Sequence, residues 1–284
     1  MSKKIYALLA LALLLAGCSG VIGKISDSIE REQNKKPSYH FVDVVGKEYK
    51  ARLLEDVPKS DYDPDRLTEE NGYKYYTDKD GNVTSELGID VSKYQGDIEW
   101  EYVKEAGIDF VIVRLGYRGY GKKGQLVEDE CFQKNVEGAL EAGLGVGVYF
   151  FSQALNEEEA LEEARFVLDK IKQYEITYPV VFDTEEVKYA IARTDDHPMS
   201  QFTQNCITFC DAIEEAGYQS MIYANMKWMA FTLDLTKLTD YEKWYADYEE
   251  HPQCPYEFSM WQYTEKGKVP GIDGNVDLNV YFKE

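Results

Sequence analysis

From Leu87 onward the chain alternates short apolar runs with amphipathic stretches, and this alternation limits the folds open to it more than any other feature. The runs are Leu87–Val91, Phe110–Leu115, Gly145–Phe151, Pro179–Phe182, Ser220–Ala224, Lys243–Ala246, Phe258–Trp261 and Asp277–Phe282. Helical patterns separate the early ones: Glu99–Ala106, Glu128–Ala142, Asn156–Gln173 and Ser200–Ala216. Three of these end in Ala-Gly, at Gly107, Gly143 and Gly217, where a left-handed glycine closes a helix. Asn156 followed by Glu157, Glu158 and Glu159 is a helix start, with an amide cap and acids at the positive end of the dipole. Apolar strands alternating with helices imply a parallel sheet covered by helices. Eight strands in this length predict an α/β fold, an irregular (β/α) barrel whose later units are too short for full helices. A doubly wound open sheet is the competing architecture.

The N-terminus has a different character. Lys3 and Lys4 precede an apolar run, Ile5–Leu15, too short for a comfortable membrane span, and Ala16-Gly17-Cys18 follows. Leu15-Ala16-Gly17-Cys18 resembles a bacterial lipobox, which implies cleavage before Cys18 and lipidation of its thiol. The expected organisation is a signal peptide over 1–17, a lipidated Cys18 with a polar tether over 18–37, a small accessory segment over 38–85, and a catalytic domain over 86–284. The implied location is the outer side of the cell membrane, held by the lipid. Turn signals at Asn71-Gly72 and Asp80-Gly81-Asn82 divide the accessory segment into short strands.

The formal net charge of −21 argues against nucleic acid as a partner, since phosphate binding needs clustered Lys and Arg. Cys131, Cys206, Cys210 and Cys254 remain after Cys18, and buried free thiols are the expected state. Three histidines, at 40, 197 and 251, do not make a zinc cluster, and neither metal nor cofactor is expected. Gly119-Tyr120-Gly121-Lys122-Lys123-Gly124 fits the dinucleotide fingerprint, but it lies past its strand and carries two lysines before the last glycine. A loop over a groove is the expected structure there.

The acids carry the chemical signal. Pro179-Val180-Val181-Phe182-Asp183-Thr184-Glu185 is an apolar strand that ends in carboxylates, with Asp183 and Glu185 on the same face because strand side chains alternate. The C-terminal ends of barrel strands form the active face, and two acids there raise each other's pKa. The same spacing also suits acids at a helix start. Asp90 stands within Gly88-Ile89-Asp90-Val91, Asp273 sits at a turn before Gly274, and Asp277 opens the last strand. A charge among apolar neighbours needs a partner or a purpose. Arg114, on the second strand, is expected to pair with a barrel acid.

Together Gly88-Ile89-Asp90-Val91-Ser92-Lys93-Tyr94-Gln95-Gly96, Trp100, Phe182-Asp183-Thr184-Glu185, Trp261-Gln262-Tyr263 and Val276-Asp277-Leu278-Asn279 resemble glycoside hydrolase family 25. These are lysozymes of the Chalaropsis and phage-endolysin type, and the resemblance runs from about Leu87 to the C-terminus. It implies a TIM-like irregular barrel and hydrolysis of the β-1,4 bond between N-acetylmuramic acid and N-acetylglucosamine, with peptidoglycan strands as partner. By position Glu185 matches the proton donor, Asp183 the acid beside it, and Asp90 and Asp277 the acids of the first and last strands; Asp273 does not match. Tyr117, Tyr149, Tyr223, Trp244 and Trp261 are expected to form the sugar groove, because aromatic faces stack on sugars. Retention, inversion and a substrate-assisted route all remain compatible with this spacing. The competing functions are a lipoprotein that binds glycan or solute without cutting it, and a glycosidase for another N-acetylated glycan such as chitin.

Overall fold

The computed structural model describes residues 37–188 and 190–283. The signal, lipobox and most of the tether, Cys18 included, lie outside the described residues. The described residues fall into two units, 37–39 with Arg52–Leu54, and His40–Ala51 with 55–188 and 190–283. In the small unit the Leu53 N–H donates to the Pro37 carbonyl at 2.8 Å. Apart from Ser38, Tyr39 and Arg52, at the ends of two strands, the residues below belong to the large unit.

Eight strands close a barrel: β5 (Ser85–Val91), β6 (Phe110–Arg118), β8 (Gly145–Phe151), β9 (Val180–Asp183), β10 (Ser220–Asn225), β11 (Glu242–Ala246), β12 (Met260–Gly267) and β13 (Val276–Phe282). Pairing of β5 with β6 joins the two ends of the sheet, which rules out the open doubly wound alternative. A short β7 (Leu126–Glu128) pairs with β6 outside the ring. The expected strands are all present. The sheet is not uniformly parallel, however: β13 runs antiparallel to both β12 and β5.

Helices cover the first half. They are α1 (Trp100–Glu105), α2 (Phe132–Glu141), α3 (Glu157–Ile171), α4 (Met199–Glu215) and the short α5 (Met226–Phe231). Among the described residues no helix follows β11 or β12, so this is no regular alternation of strand and helix. The Asn156 side chain caps α3 by accepting from the Glu159 N–H at 3.0 Å, as its sequence implies. Gly107 and Gly217 end α1 and α4 with φ of 90° and 87°, a conformation that costs a side-chain-bearing residue about 1 kcal/mol.

Strand alternation sorts the side chains. Phe110, Ile112, Val181, Met221, Trp244 and Met260 meet in one apolar cluster within the barrel. Their neighbours face outward, as Phe182 does against Phe209 of α4, with ring centroids 4.9 Å apart. Gly88 on β5 makes room for the Phe110 ring, since a Cβ there would stand 2.1 Å from it.

The segment before the barrel holds β1 (Ser38–Val42), β2 (Glu48–Arg52), β3 (Leu67–Glu70) and β4 (Tyr73–Tyr76), with Asn71 and Gly72 at positive φ turning β3 into β4. It is tied to the barrel loops. The Gln253 amide bonds both the N–H and the carbonyl of Val42, at 2.8 and 2.9 Å, and the Lys74 ammonium donates to the Glu250 carbonyl at 2.6 Å. Gly119–Gly124 is the tip of the β6–β7 hairpin, closed by the Gly119 N–H on the Gln125 carbonyl at 2.9 Å, and no helix follows it to receive a phosphate.

Candidate active site

Two residues beyond the apolar cluster on β9, β10 and β12, the same inward parity brings polar groups to one end of the barrel. Val181 is followed inward by Asp183, Met221 by Tyr223 and Met260 by Gln262. On β5 the inward residue is Asp90, and β13 places Asp277 directly opposite it. These residues, with Glu185 on the loop after β9, Tyr149, Lys188, Trp244, Tyr248 and Glu265, line a cavity of about 190 Å3. The four acids singled out in the sequence therefore converge. A larger groove of about 520 Å3, beside Lys243 and Phe282 at the other end of β11 and β13, contains none of them.

Asp277 reaches the cavity because β13 is reversed. In a parallel barrel, a residue near the start of its strand would lie at the opposite end. The reversal also carries Asn279 inward, where its amide donates to Asp90 Oδ2 at 2.9 Å and its oxygen accepts the Trp244 Nε1–H at 2.8 Å. Gln262 completes the cradle. Its Nε2 donates to Asp90 Oδ2 at 2.9 Å, and its Oε1 accepts the hydroxyls of Tyr223 and Tyr248, both at 3.0 Å.

Burial raises the pKa of every one of the four acids. Asp90 and Asp277 also share a hydrogen bond; desolvation and the Asp90 charge lift Asp277, while the amides of Asn279 and Gln262 pull Asp90 back down. The pair thus keeps a proton on Asp277 and the charge on Asp90. Asp183 is raised well above the carboxylate range by burial, by Glu185 and by Asp90, and its Oδ1 has no hydrogen-bond partner among the described residues. Glu185 is raised by burial and by Asp90, with Lys188 acting in the opposite direction. A buried carboxyl kept protonated near neutral pH is a proton donor in waiting, and a neighbouring carboxylate held by two amides is a fixed negative charge.

The aromatic predictions divide. Tyr149, Tyr223 and Trp244 line the acid cavity. Tyr117 lies in an adjoining cavity of about 370 Å3 with Lys93, Tyr94, Arg114, Tyr120, Phe151 and Glu186. A register shift between Arg114 and Gly116 interrupts the alternation of β6 just before Tyr117. Trp261 lines neither cavity, and its expected place in the sugar groove is corrected here. It neighbours the inward Gln262, so its indole points out of the barrel, fully buried, and donates to the Asp247 carbonyl at 2.7 Å. Arg114 pairs with Asp129, with Nε to Oδ2 at 2.7 Å, and not with a cavity acid. Gln262, Asn279, Tyr248, Glu265 and Lys188 were not expected as site residues. Inward parity on β12 and β13 marks the first two, whereas Tyr248, Glu265 and Lys188 arrive by loop and strand-end geometry.

A family profile for glycosyl hydrolases family 25 matches residues 89–272. The autolytic lysozyme of Clostridium acetobutylicum is 25% identical over 195 residues, covering 68% of this chain and 55% of its own. The modular autolysin LytC from Streptococcus pneumoniae superposes with a TM-score of 0.63 at 25% identity, covering 86% of this chain and 56% of its own. A second LytC structure, in complex with a synthetic peptidoglycan ligand, has the same TM-score at 24% identity, with the same shares covered. The chain thus spans little more than half the length of these two relatives. With the profile running from β5 through the barrel to the turn before β13, the chain belongs to glycosyl hydrolase family 25.

Proposed function

We propose that the barrel is a lysozyme, an N-acetylmuramidase that hydrolyses the β-1,4 bond between N-acetylmuramic acid and N-acetylglucosamine in peptidoglycan. The observation that carries this reading is the convergence of Asp90, Asp183, Glu185 and Asp277 on one cavity walled by Tyr149, Tyr223 and Trp244. Family membership and the peptidoglycan ligand bound by LytC support it.

In this reading Glu185 gives its proton to the glycosidic oxygen as the C1–O bond breaks. The positive charge growing on C1 and the ring oxygen is met by the Asp90 carboxylate, which Gln262 and Asn279 hold in place. The substrate's own N-acetyl oxygen attacks C1 and forms a cyclic oxazolinium ion. Asp183 Oδ1, left without a protein partner, takes the acetamido N–H and turns that group toward C1. Water then adds at C1, the ring opens, and Glu185 recovers its proton from that water. Retention at C1 is the expected outcome.

Purified protein incubated with peptidoglycan is expected to release new reducing ends on muramic acid. Glu185→Gln lowers that release by about 10²–10⁴-fold, the usual range for a general acid. Release by this variant at the wild-type rate, or reducing ends on glucosamine alone, would overturn the assignment.

Export and anchoring belong to the same reading. Cleavage before Cys18 and lipidation of its thiol hold the enzyme on the outer side of the membrane, within reach of the wall. The lipobox-like Leu15-Ala16-Gly17-Cys18 supports this. Mass spectrometry of the N-terminal peptide is expected to find a diacylglyceryl cysteine, and Cys18→Ser is expected to leave the membrane fraction.

A further inference from the structure

Between the acid cavity and the adjoining aromatic one stand two shared residues, Glu185 and Lys188. Among the described residues Lys188 is the only basic side chain lining the acid cavity, against Asp90, Asp183, Glu185, Glu265 and Asp277. In the adjoining cavity every other charge is already engaged. Lys93 pairs with Glu130 at 2.8 Å, Arg114 with Asp129 at 2.5 Å, and Glu186 with Lys227 at 3.3 Å. Among the described residues Lys188 makes no ion pair, although it is exposed at the junction of two cavities in a chain of net charge −21. An exposed ammonium placed there, whose charge acts on Glu185 through space and not through an ion pair, is an anion subsite, because it is the point of positive potential an anion meets in a cavity otherwise lined by acids.

We infer that Lys188 binds a carboxylate carried on the 3-O-lactyl arm of the muramoyl unit as the strand passes from one cavity to the other. The inference rests on the lysozyme reading for the identity of the strand. Of the two alternating sugars only muramic acid bears that arm, so a cation at the junction sets which sugar sits beside Glu185. Two carboxylates fit the chemistry: the lactyl acid itself in a glycan stripped of peptide, and the acids of a stem peptide attached through it. Chitin offers neither.

The test is binding to the Glu185→Gln protein, in which cleavage is slowed by about 10²–10⁴-fold, measured by calorimetry. The ligands are a tetrasaccharide of alternating N-acetylglucosamine and N-acetylmuramic acid with free lactyl acids, the same with lactyl carboxamides, and the same bearing stem peptides. The free acid or the peptide form is expected to bind about tenfold more tightly than the carboxamide, the size of one charge-assisted contact. Adding Lys188→Met removes that difference, and adding Lys188→Arg keeps most of it. Preference for the bare acid identifies the lactyl carboxylate, and preference for the peptide form identifies the stem. Equal affinity for all three ligands, or a preference that survives Lys188→Met, overturns the inference. Charge-selective binding by a wild-type protein that releases no reducing ends overturns the lysozyme reading and keeps Lys188. Cleavage without charge preference does the reverse, and no binding of any form overturns both.

Discussion

Two sets of buried acids sit in this barrel, and they are treated oppositely. Behind β6, Glu163 of α3 is fully buried, takes Arg118 Nε at 2.7 Å on one oxygen and donated Ser152 Oγ–H at 2.6 Å on the other. Arg118 is itself held by Glu162 at 2.7 Å and by the carbonyls of Gly124 and Glu159 at 2.8 and 2.9 Å. In the cavity, Asp183 is also buried, but among the described residues no arginine hydrogen-bonds it and one oxygen has no hydrogen-bond partner. A buried polar group without a partner costs about 1–3 kcal/mol, so a fold keeps one only where something else requires it. The satisfied Glu163 holds the barrel wall together; the unpartnered Asp183 Oδ1 faces the space where a substrate would lie.

The contrast is broken most severely at Asp183. Asp183→Asn is expected to cut turnover by about 10²-fold or more while leaving the melting temperature unchanged or higher, since it removes a buried acid that repels its neighbours. A melting temperature lowered by several degrees would place Asp183 among the structural acids instead.

Arg118→Met should do the converse. Removing one partner of a buried pair costs about 3–5 kcal/mol, read by urea unfolding, while the remaining folded protein keeps its turnover. The loss should depend on pH. Burial lifts Glu163 from 4.5 to about 7 even with Arg118 present, so the folded state holds a proton the unfolded chain has released. Stability from that proton is complete below about 4.5 and is lost as pH rises through about 7. Without Arg118 the ionised form is worse still, so the deficit against wild type should be smallest at acid pH and grow above 7. A deficit independent of pH would mean that Glu163 stays neutral throughout.

Asp277→Asn has a smaller effect, of opposite sign. The folded pKa of Asp277 is raised, so its contribution to stability is present at acid pH and lost as pH rises above the ordinary carboxylate range. Asn has no proton to lose, so the variant should gain about 1–2 kcal/mol at pH 8 and little at pH 4, by thermal melts at each pH. Trp261→Phe is the smallest change: about 1 kcal/mol of stability for the lost bond to the Asp247 carbonyl, with KM within twofold. A large rise in KM would return Trp261 to the groove.

Much of this was legible in the chain. The apolar runs became the barrel strands because period-two burial is a local property, and Asn156 and the Ala-Gly endings capped their helices for reasons confined to one turn. Asp183 and Glu185 could be paired from two residues of spacing. Trp261 was misplaced because the WQY run alone does not say which of its residues faces inward, and Gln262 took that place. Tyr248 and Lys188 were missed because loops have no period to read.

By itself the sequence determined the order of strands along the chain, the alternation of faces along each strand and the identity of four acids, all set by interactions within a few residues along the chain. Only the tertiary structure decided that these acids meet. Barrel closure through β5 and β6 put Asp90 near Asp183, and the reversal of β13 turned the start of a last strand into part of the active end, opposite Asp90. The pairing of β13 with β5 joins residues nearly two hundred positions apart, and no local pattern encodes it. The same closure decides the chemistry, because carboxyls that would be ionised and apart in an open chain are forced into one desolvated space where they must share protons.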